Sequence, residues 1–228
     1  MAAPVRSRRS AGRAVARFAA AVMATTGVLL IADAALTLAW QEPVSALLGA
    51  REQDALAERL GPLPDLERAP PCRTACDDEL KRRAGRFAKR LGTGDPVGRL
   101  SLPTLDRTAV VTQGTDTASL RKGPGHYPGT GVPGQRGTVA IAGHRTTYGA
   151  PFRSIDDLRR GDPIVMQTPY GRFTYRVVRT RIVSPDALWV TRDVGYDRIV
   201  LTACHPLYSA AERIVAFARL TREQTAAR

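Results

Sequence analysis

From Val97 to Leu220 the chain is a series of short apolar or alternating runs, each closed off by Gly, Pro or Asp. Candidate strands are 97–102, 107–112, 137–143, 163–168, 172–183, 197–203 and 213–220, with brief helices at 115–121 and 152–159. Short strands at close spacing with little helix between them argue for a closed or sandwich-like β domain. Arg172-Phe173-Thr174-Tyr175-Arg176-Val177 alternates polar and apolar, as a half-buried strand must, and Pro169-Tyr170-Gly171 before it signals a hairpin turn.

The region before this domain has a different texture. Residues 1–17 hold five arginines and no acidic residue, and most of the rest of the formal charge of +13 lies beyond residue 95. Phe18 to Trp40 is then almost continuously apolar, long enough as a helix to cross a hydrocarbon core. Arginines before it and none directly after predict residues 1–17 on the cytoplasmic side and the remainder outside the cell. Asp33 is the costly residue in such a span, at up to ~3 kcal/mol near the bilayer centre. Ala32-Asp33-Ala34 also has the small-x-small form of a signal-peptide cleavage site. Apolar character resuming through Trp40 favours an uncleaved, single-pass anchor over 18–40.

Residues 41–95 read as a helical, partly mobile extracellular spacer. Val44, Leu47, Leu48, Leu56 and Leu60 recur at loosely helical spacing, and Gly61-Pro62-Leu63-Pro64 and Ala69-Pro70-Pro71 interrupt the pattern. Cys72 and Cys76 fall here, spaced so that a disulfide needs non-helical backbone, which Pro70 and Pro71 permit. The alternatives are a local disulfide, free thiols or a metal site; the last lacks a nearby His.

Chemistry concentrates at two strand ends. Arg198-Ile199-Val200-Leu201-Thr202-Ala203-Cys204 is an apolar run ending in a lone thiol, and Thr138-Val139-Ala140-Ile141-Ala142-Gly143 ends in His144. A Cys and a His at two strand ends offer the minimum set for covalent acyl transfer; the competing reading is an inert core cysteine. His205 follows Cys204 directly, so in an extended strand it faces the other way. His126 lies in the loop Gly123-Pro124-Gly125-His126-Tyr127-Pro128, where a structural role suffices. Arg213 opens the strand expected beside the Cys204 strand, placed either to steady an oxyanion or to be one more surface arginine.

Taken together, "AGHRTTYGAPF" around His144, "LTACHP" around Cys204 and "SAAERIVAFARL" around Arg213 resemble the sortase transpeptidases, most closely the class E group of actinobacteria. The likeness runs from about Asp95 to Leu220. It implies a mostly β fold, a closed eight-stranded barrel with short helices over residues 96–222, followed by a tail at 223–228. It also implies that Cys204 attacks the Thr–Gly bond of an LPxTG-like or LAxTG-like sorting signal, that His144 serves as acid and base, and that Arg213 binds substrate and oxyanion. Tyr148, Thr202, Ala203 and His205 are the implied substrate-binding residues. No metal or other cofactor is implied. Val200 and Ala203 stand where the family carries threonines, which removes a hydroxyl next to the nucleophile.

The implied partners are secreted proteins bearing a C-terminal sorting signal, an amine acceptor from a peptidoglycan precursor or a pilin, and membrane lipid. A hydrolytic cysteine protease and a non-enzymatic, basic envelope-binding module are the alternatives. Nucleic acid is not expected, because few aromatic residues accompany the basic ones.

Overall fold

The computed structural model describes residues 7–39, 43–71 and 74–225. The chain divides into two compact units, Met1–Pro43 and Val44–Arg228.

The first unit is α1 (Ser7–Ala39). Its stretch Gly12–Leu36 has a mean hydropathy of 1.9, and none of it is buried by protein. At about 1.5 Å per residue this exceeds the ~30 Å of a hydrocarbon core. Phe18, Met23 and Ile31 are all exposed. A helix that is apolar all round without a protein partner suits a membrane anchor or a signal sequence. Trp40, at the end of the apolar stretch, lies outside the described residues.

In chain order the second unit comprises α2 (Pro43–Leu60), α3 (Thr74–Ala88), β1 (Pro96–Leu102), β2 (Arg107–Gln113) and α4 (Thr117–Lys122). There follow β3 (Gly125–His126), β4 (Thr138–Ala142), β5 (Pro163–Thr168), β6 (Gly171–Val183), β7 (Arg198–His205) and β8 (Glu212–Thr225). The strands close into a barrel in the order β1-β2-β3-β4-β7-β8-β6-β5. Pairing is antiparallel except at β2–β3 and β4–β7. The closed eight-stranded barrel implied by the motifs is therefore present. All seven strands expected from the sequence form, and β8 runs on to Thr225.

The eighth strand is the two-residue β3, in a segment the sequence assigned to a loop. Two residues carry no legible alternation, but they bridge β2 and β4 and so complete the ring. Of the expected helices, 115–121 forms as α4, capped by Asp116 accepting from the Ser119 N–H at 3.0 Å. Residues 152–159 yield only a single 3₁₀ turn at Ile155–Asp157.

The barrel interior is filled by residues such as Leu100, Ile141, Met166, Phe173, Ile199 and Leu201. Each such side chain withdrawn from water contributes roughly 1.5–3 kcal/mol. A second, smaller layer lies outside the wall: Ala140, Val200, Val215 and Phe217 sit beneath Val190 of the β6–β7 loop. Strand β7 is thus covered on both faces, which explains its unbroken apolar run.

Helix α3 sends Leu80 and Ala84 into the interior cluster, and Phe87 packs against Tyr170 at 5.2 Å between ring centroids. Cys76 in α3 is disulfide-bonded, which removes it as a metal ligand, and Cys204 is a free thiol. Cys72 lies outside the described residues. Helix α2 turns Leu47 and Leu48 of its loosely helical apolar pattern to solvent. The face it lays on the barrel instead carries Ser45, Gly49, Gln53 and Leu56.

His126 is buried between two oxygen-bearing groups. Its Nε2 lies 2.8 Å from the Gly131 carbonyl and its Nδ1 2.8 Å from the Gln113 amide. The Nε2–H donates to the Gly131 carbonyl, and Nδ1 faces the Gln113 Oε1. Burial pushes His126 below the ordinary histidine value, outweighing the Gly131 bond. The unfolded chain therefore takes up the proton first, and stability is lost as pH falls below about 6.5. In urea titrations of the detergent-solubilised chain the midpoint should drop between about pH 7 and pH 5, with a shallower drop in His126→Gln. A wild-type midpoint that does not move over that interval contradicts this account.

Candidate active site

The parallel pairing of β4 with β7 runs from Thr138↔Arg198 to Ala142↔Thr202 without a slip. The Gly143 N–H then donates to the Thr202 carbonyl at 3.0 Å, extending the pairing past the formal end of β4. On the same offset the next residues are His144 and Cys204. Neighbouring strands lie about 4.8 Å apart, so the register delivers imidazole and thiol to adjoining positions. On the other side of β7, the antiparallel pairing with β8 sets Cys204 opposite Arg213. Three consecutive strands of the barrel thus carry, near or just past their ends at one rim, the His, the Cys and the Arg singled out from the sequence.

Alternation along the strands decides which way these residues face. Ala203 and Ile214 belong to the interior cluster, whereas Val200 and Val215 belong to the outer layer. Cys204 and Thr202 share the outer face with Val215 and Arg213. Cys204 is half-buried, so it is not the sealed core thiol of the competing reading. Ala203, 3 % exposed, turns its methyl into the barrel; a side chain there points away from the face that carries the sulfur. Thr202 is the small polar side chain on the sulfur's face, and its Oγ1 lies 3.0 Å from the Tyr127 hydroxyl. It helps line a groove together with Tyr127, Val183, Leu188, Arg213 and Val215. The Arg213 guanidinium folds back over the β7–β8 connection, Nη1 donating to the Ala210 and Glu212 carbonyls at 2.9 Å each.

His144 is half-buried, and that burial pushes its imidazole below the ordinary histidine value. Its ring packs against Tyr148 at 5.4 Å between centroids, tilted by 45°. Gly143 before it admits no side chain, because a Cβ there would come within 2.5 Å of the Phe152 ring.

On the interior side of the same two strand ends lies a residue that sequence reasoning passed over. Arg145 is 3 % exposed. Its Nε and Nη2 donate to the Arg153 carbonyl at 3.1 and 3.0 Å, and Nη2 pairs with Asp156 at 2.7 Å. Its Nη1 reaches His205 Nδ1 at 3.3 Å, again with an offset of 60 residues. A guanidinium has only donors, so Nδ1 accepts and the neutral ring carries its proton on Nε2. The strands that align His144 with Cys204 on one side are therefore tied by Arg145 and His205 on the other. An arginine in a loop gives no periodic signal, so the sequence did not distinguish it from its solvated counterparts. His126 plays no part here; it belongs to the barrel wall.

A half-buried thiol, a neutral imidazole and a guanidinium at three adjoining strand ends are groups of the kind that covalent acyl transfer uses as nucleophile, proton carrier and oxyanion partner. Among the described residues no group of three or more His, Cys, Asp or Glu is placed to hold a metal ion.

Replacing Arg145 with Met leaves the Arg153 carbonyl without its donors and cuts the tie to His205. Urea unfolding should report a loss of about 2–4 kcal/mol for Arg145→Met. Asp156→Asn, whose carboxylate is half in solvent, should lose under ~1 kcal/mol. Equal losses in the two variants would contradict the assignment of Arg145 as the hub.

Residues 100–221 match the sortase domain family. The chain is 35% identical to Sortase D of Bacillus subtilis over 115 residues, which cover 50% of this chain and 57% of that protein. It is 30% identical to Sortase SrtE1 of Streptomyces coelicolor over 160 residues, covering 63% of this chain and 44% of the relative. The chain thus spans about half the length of these curated relatives. Among solved structures, sortase E from Streptomyces avermitilis is 32% identical with a TM-score of 0.55, covering 59% of this chain and 93% of that one. Sortase E1 from Streptomyces coelicolor, with a tripeptide in its active site, is 30% identical with a TM-score of 0.54, covering 58% and 91%. The class E likeness seen in the motifs is accompanied by one to Sortase D. The matched domain takes in most of the barrel, with His144, Cys204 and Arg213 all inside it, and the chain belongs to the sortase family.

Proposed function

We propose that this protein is a membrane-anchored cysteine transpeptidase that joins secreted proteins to an amine of the cell envelope. The observation that carries the reading is the convergence of His144, Cys204 and Arg213 on one outer face beside a groove. The peptide in the active site of the related sortase E1 supports that face as a peptide site.

In this reading the sorting signal, LPxTG-like or LAxTG-like, lies along the groove with its Thr carbonyl over Cys204. The sulfur attacks that carbonyl as its proton passes to His144. The Arg213 guanidinium, through the Nε and Nη2 donors outside its two carbonyl bonds, steadies the oxyanion. The carbon–nitrogen bond to Gly breaks, His144 gives its proton to the departing amine, and a thioester to Thr remains. An incoming amine attacks the thioester and yields its proton to His144; the sulfur departs as thiolate and recovers the proton. Ala203 contributes its backbone alone, Thr202 and Tyr148 line the signal's path, and His205 stands beside the nucleophile. The acceptor is an amine of a peptidoglycan precursor or a pilin. Helix α1 anchors the chain with residues 1–17 in the cytoplasm, so the barrel works outside the cell next to membrane lipid.

Incubating the full chain with LPxTG and LAxTG peptides, with and without a glycine amine, tests this directly. Mass spectrometry should show a thioester on Cys204 and transfer to the amine, with none in Cys204→Ala and a drop of at least ~100-fold in His144→Ala. Hydrolysis alone, even with amine in excess, would assign the protein to the protease class instead. The acid limb of kcat/KM, where neutral His144 takes the thiol proton, should lie below the ordinary histidine value because burial disfavours the imidazolium. Tyr148→Ala uncovers the ring and should move that limb upward; a downward move contradicts the desolvation argument.

A further inference from the structure

The segment 148–150 is backbone that a polypeptide does not hold unaided. Tyr148, Gly149 and Ala150 have φ of 51°, 75° and 43°, three left-handed residues in a row, two of them with a Cβ. Each non-glycine residue in that region costs roughly 1–2 kcal/mol. The segment nevertheless carries the ring that packs against His144. Among the described residues no hydrogen bond steers the His144 ring, and its aromatic partner is Tyr148. Something outside the loop must brace it.

Helix α2 supplies the brace. The Ser45 Oγ, 5 % exposed, accepts the Tyr148 N–H at 3.1 Å. One turn on, a Cβ on Gly49 would stand 2.6 Å from the Tyr148 carbonyl carbon, so helix and loop backbones touch only because residue 49 has no side chain. Farther along the same stripe, Gln53 donates to the Val110 and Lys122 carbonyls at 3.1 and 2.7 Å and accepts the Val110 N–H at 2.7 Å. Leu56 is buried, and Arg59 pairs with Asp95 at 2.6 Å. Positions 45, 49, 53 and 56 lie on one helical face, so the contact to the loop is fixed at several points along α2. From the far side, Arg121 of α4 lies 5.9 Å from the Tyr148 ring centroid.

We infer that α2 is a working part of the active site: Ser45 and Gly49 hold Tyr148, and through it the His144 ring, in the geometry the reaction needs. Both are positioning residues. The inference rests on the transpeptidase reading for its catalytic consequence, but its geometric content can be measured without turnover.

The test uses the full chain in detergent with ¹³C-labelled histidine, the His144 signal being assigned by its absence in His144→Gln. Gly49→Ala pushes the loop away and Ser45→Ala removes the acceptor. Both should uncover the ring and move its titration midpoint upward by ~0.5 or more. Ser45→Thr keeps the hydroxyl and should titrate as wild type. Leu80→Ala in α3 lowers stability without touching the loop and should leave the midpoint in place. The charged and titratable groups around the ring, Arg121, Arg145, Cys204, His205 and Arg213, are the same in every variant. In parallel, kcat/KM for thioester formation should fall about tenfold in Gly49→Ala and severalfold in Ser45→Ala, and stay within twofold of wild type in Ser45→Thr and Leu80→Ala. An unmoved His144 midpoint in both Gly49→Ala and Ser45→Ala overturns the inference, and so does an equal displacement in Leu80→Ala. If the midpoints move as stated but wild type forms no thioester, the bracing stands and the transpeptidase reading fails.

Discussion

The pairing of two parallel strands, β4 and β7, is the contact on which the site depends. Parallel neighbours keep a constant offset, so one correctly placed pair fixes all that follow, including the residues just past the strand ends. That offset puts His144 beside Cys204 on the outer face and Arg145 beside His205 on the interior face. A slip of one residue would turn every side chain of β7 to the wrong face and bring apolar Ile199, Leu201 and Ala203 outward. The hydrophobic cores on both sides of β7 therefore hold these strand ends in register.

Two features then refine a geometry that the strands only approximate. Beneath the pair, the buried Arg145 gathers the Arg153 carbonyl, Asp156 and His205 into one network that clamps the exits of both strands. Above it, the Tyr148 ring covers His144 and keeps the imidazole away from water, which disfavours its charged form. An imidazole that burial keeps neutral is ready to accept a proton.

Much of this was legible in the residues themselves. Alternation and apolar runs located seven strands, and the apolar ends at His144 and Cys204 marked the site, because a reactive side chain at the end of a buried strand is a recognisable pattern. What stayed hidden has physical reasons. Gly125–His126 is too short to show a period, yet it closes the barrel. Arg145 is one arginine among many until the fold buries it. The docking of α2 was obscured because its apolar residues mislead: Leu47 and Leu48 face solvent, while the face on the barrel is built from Ser45, Gly49 and Gln53. Close backbone approach and single hydrogen bonds organise that contact, and neither leaves a hydrophobic signature. The direction of Ala203 follows from alternation, but only once the face bearing Cys204 is known to be the outer one.

The central claim is that strand register brings an imidazole to the thiol. The most direct measurement is the pH dependence of Cys204 alkylation by iodoacetamide, read at the modified peptide, in wild type and in His144→Gln. If the account holds, the wild-type profile carries a second inflection from the neighbouring imidazole and the variant shows a single thiol titration. Superimposable profiles would mean that the two side chains do not sense each other, and the account would be wrong.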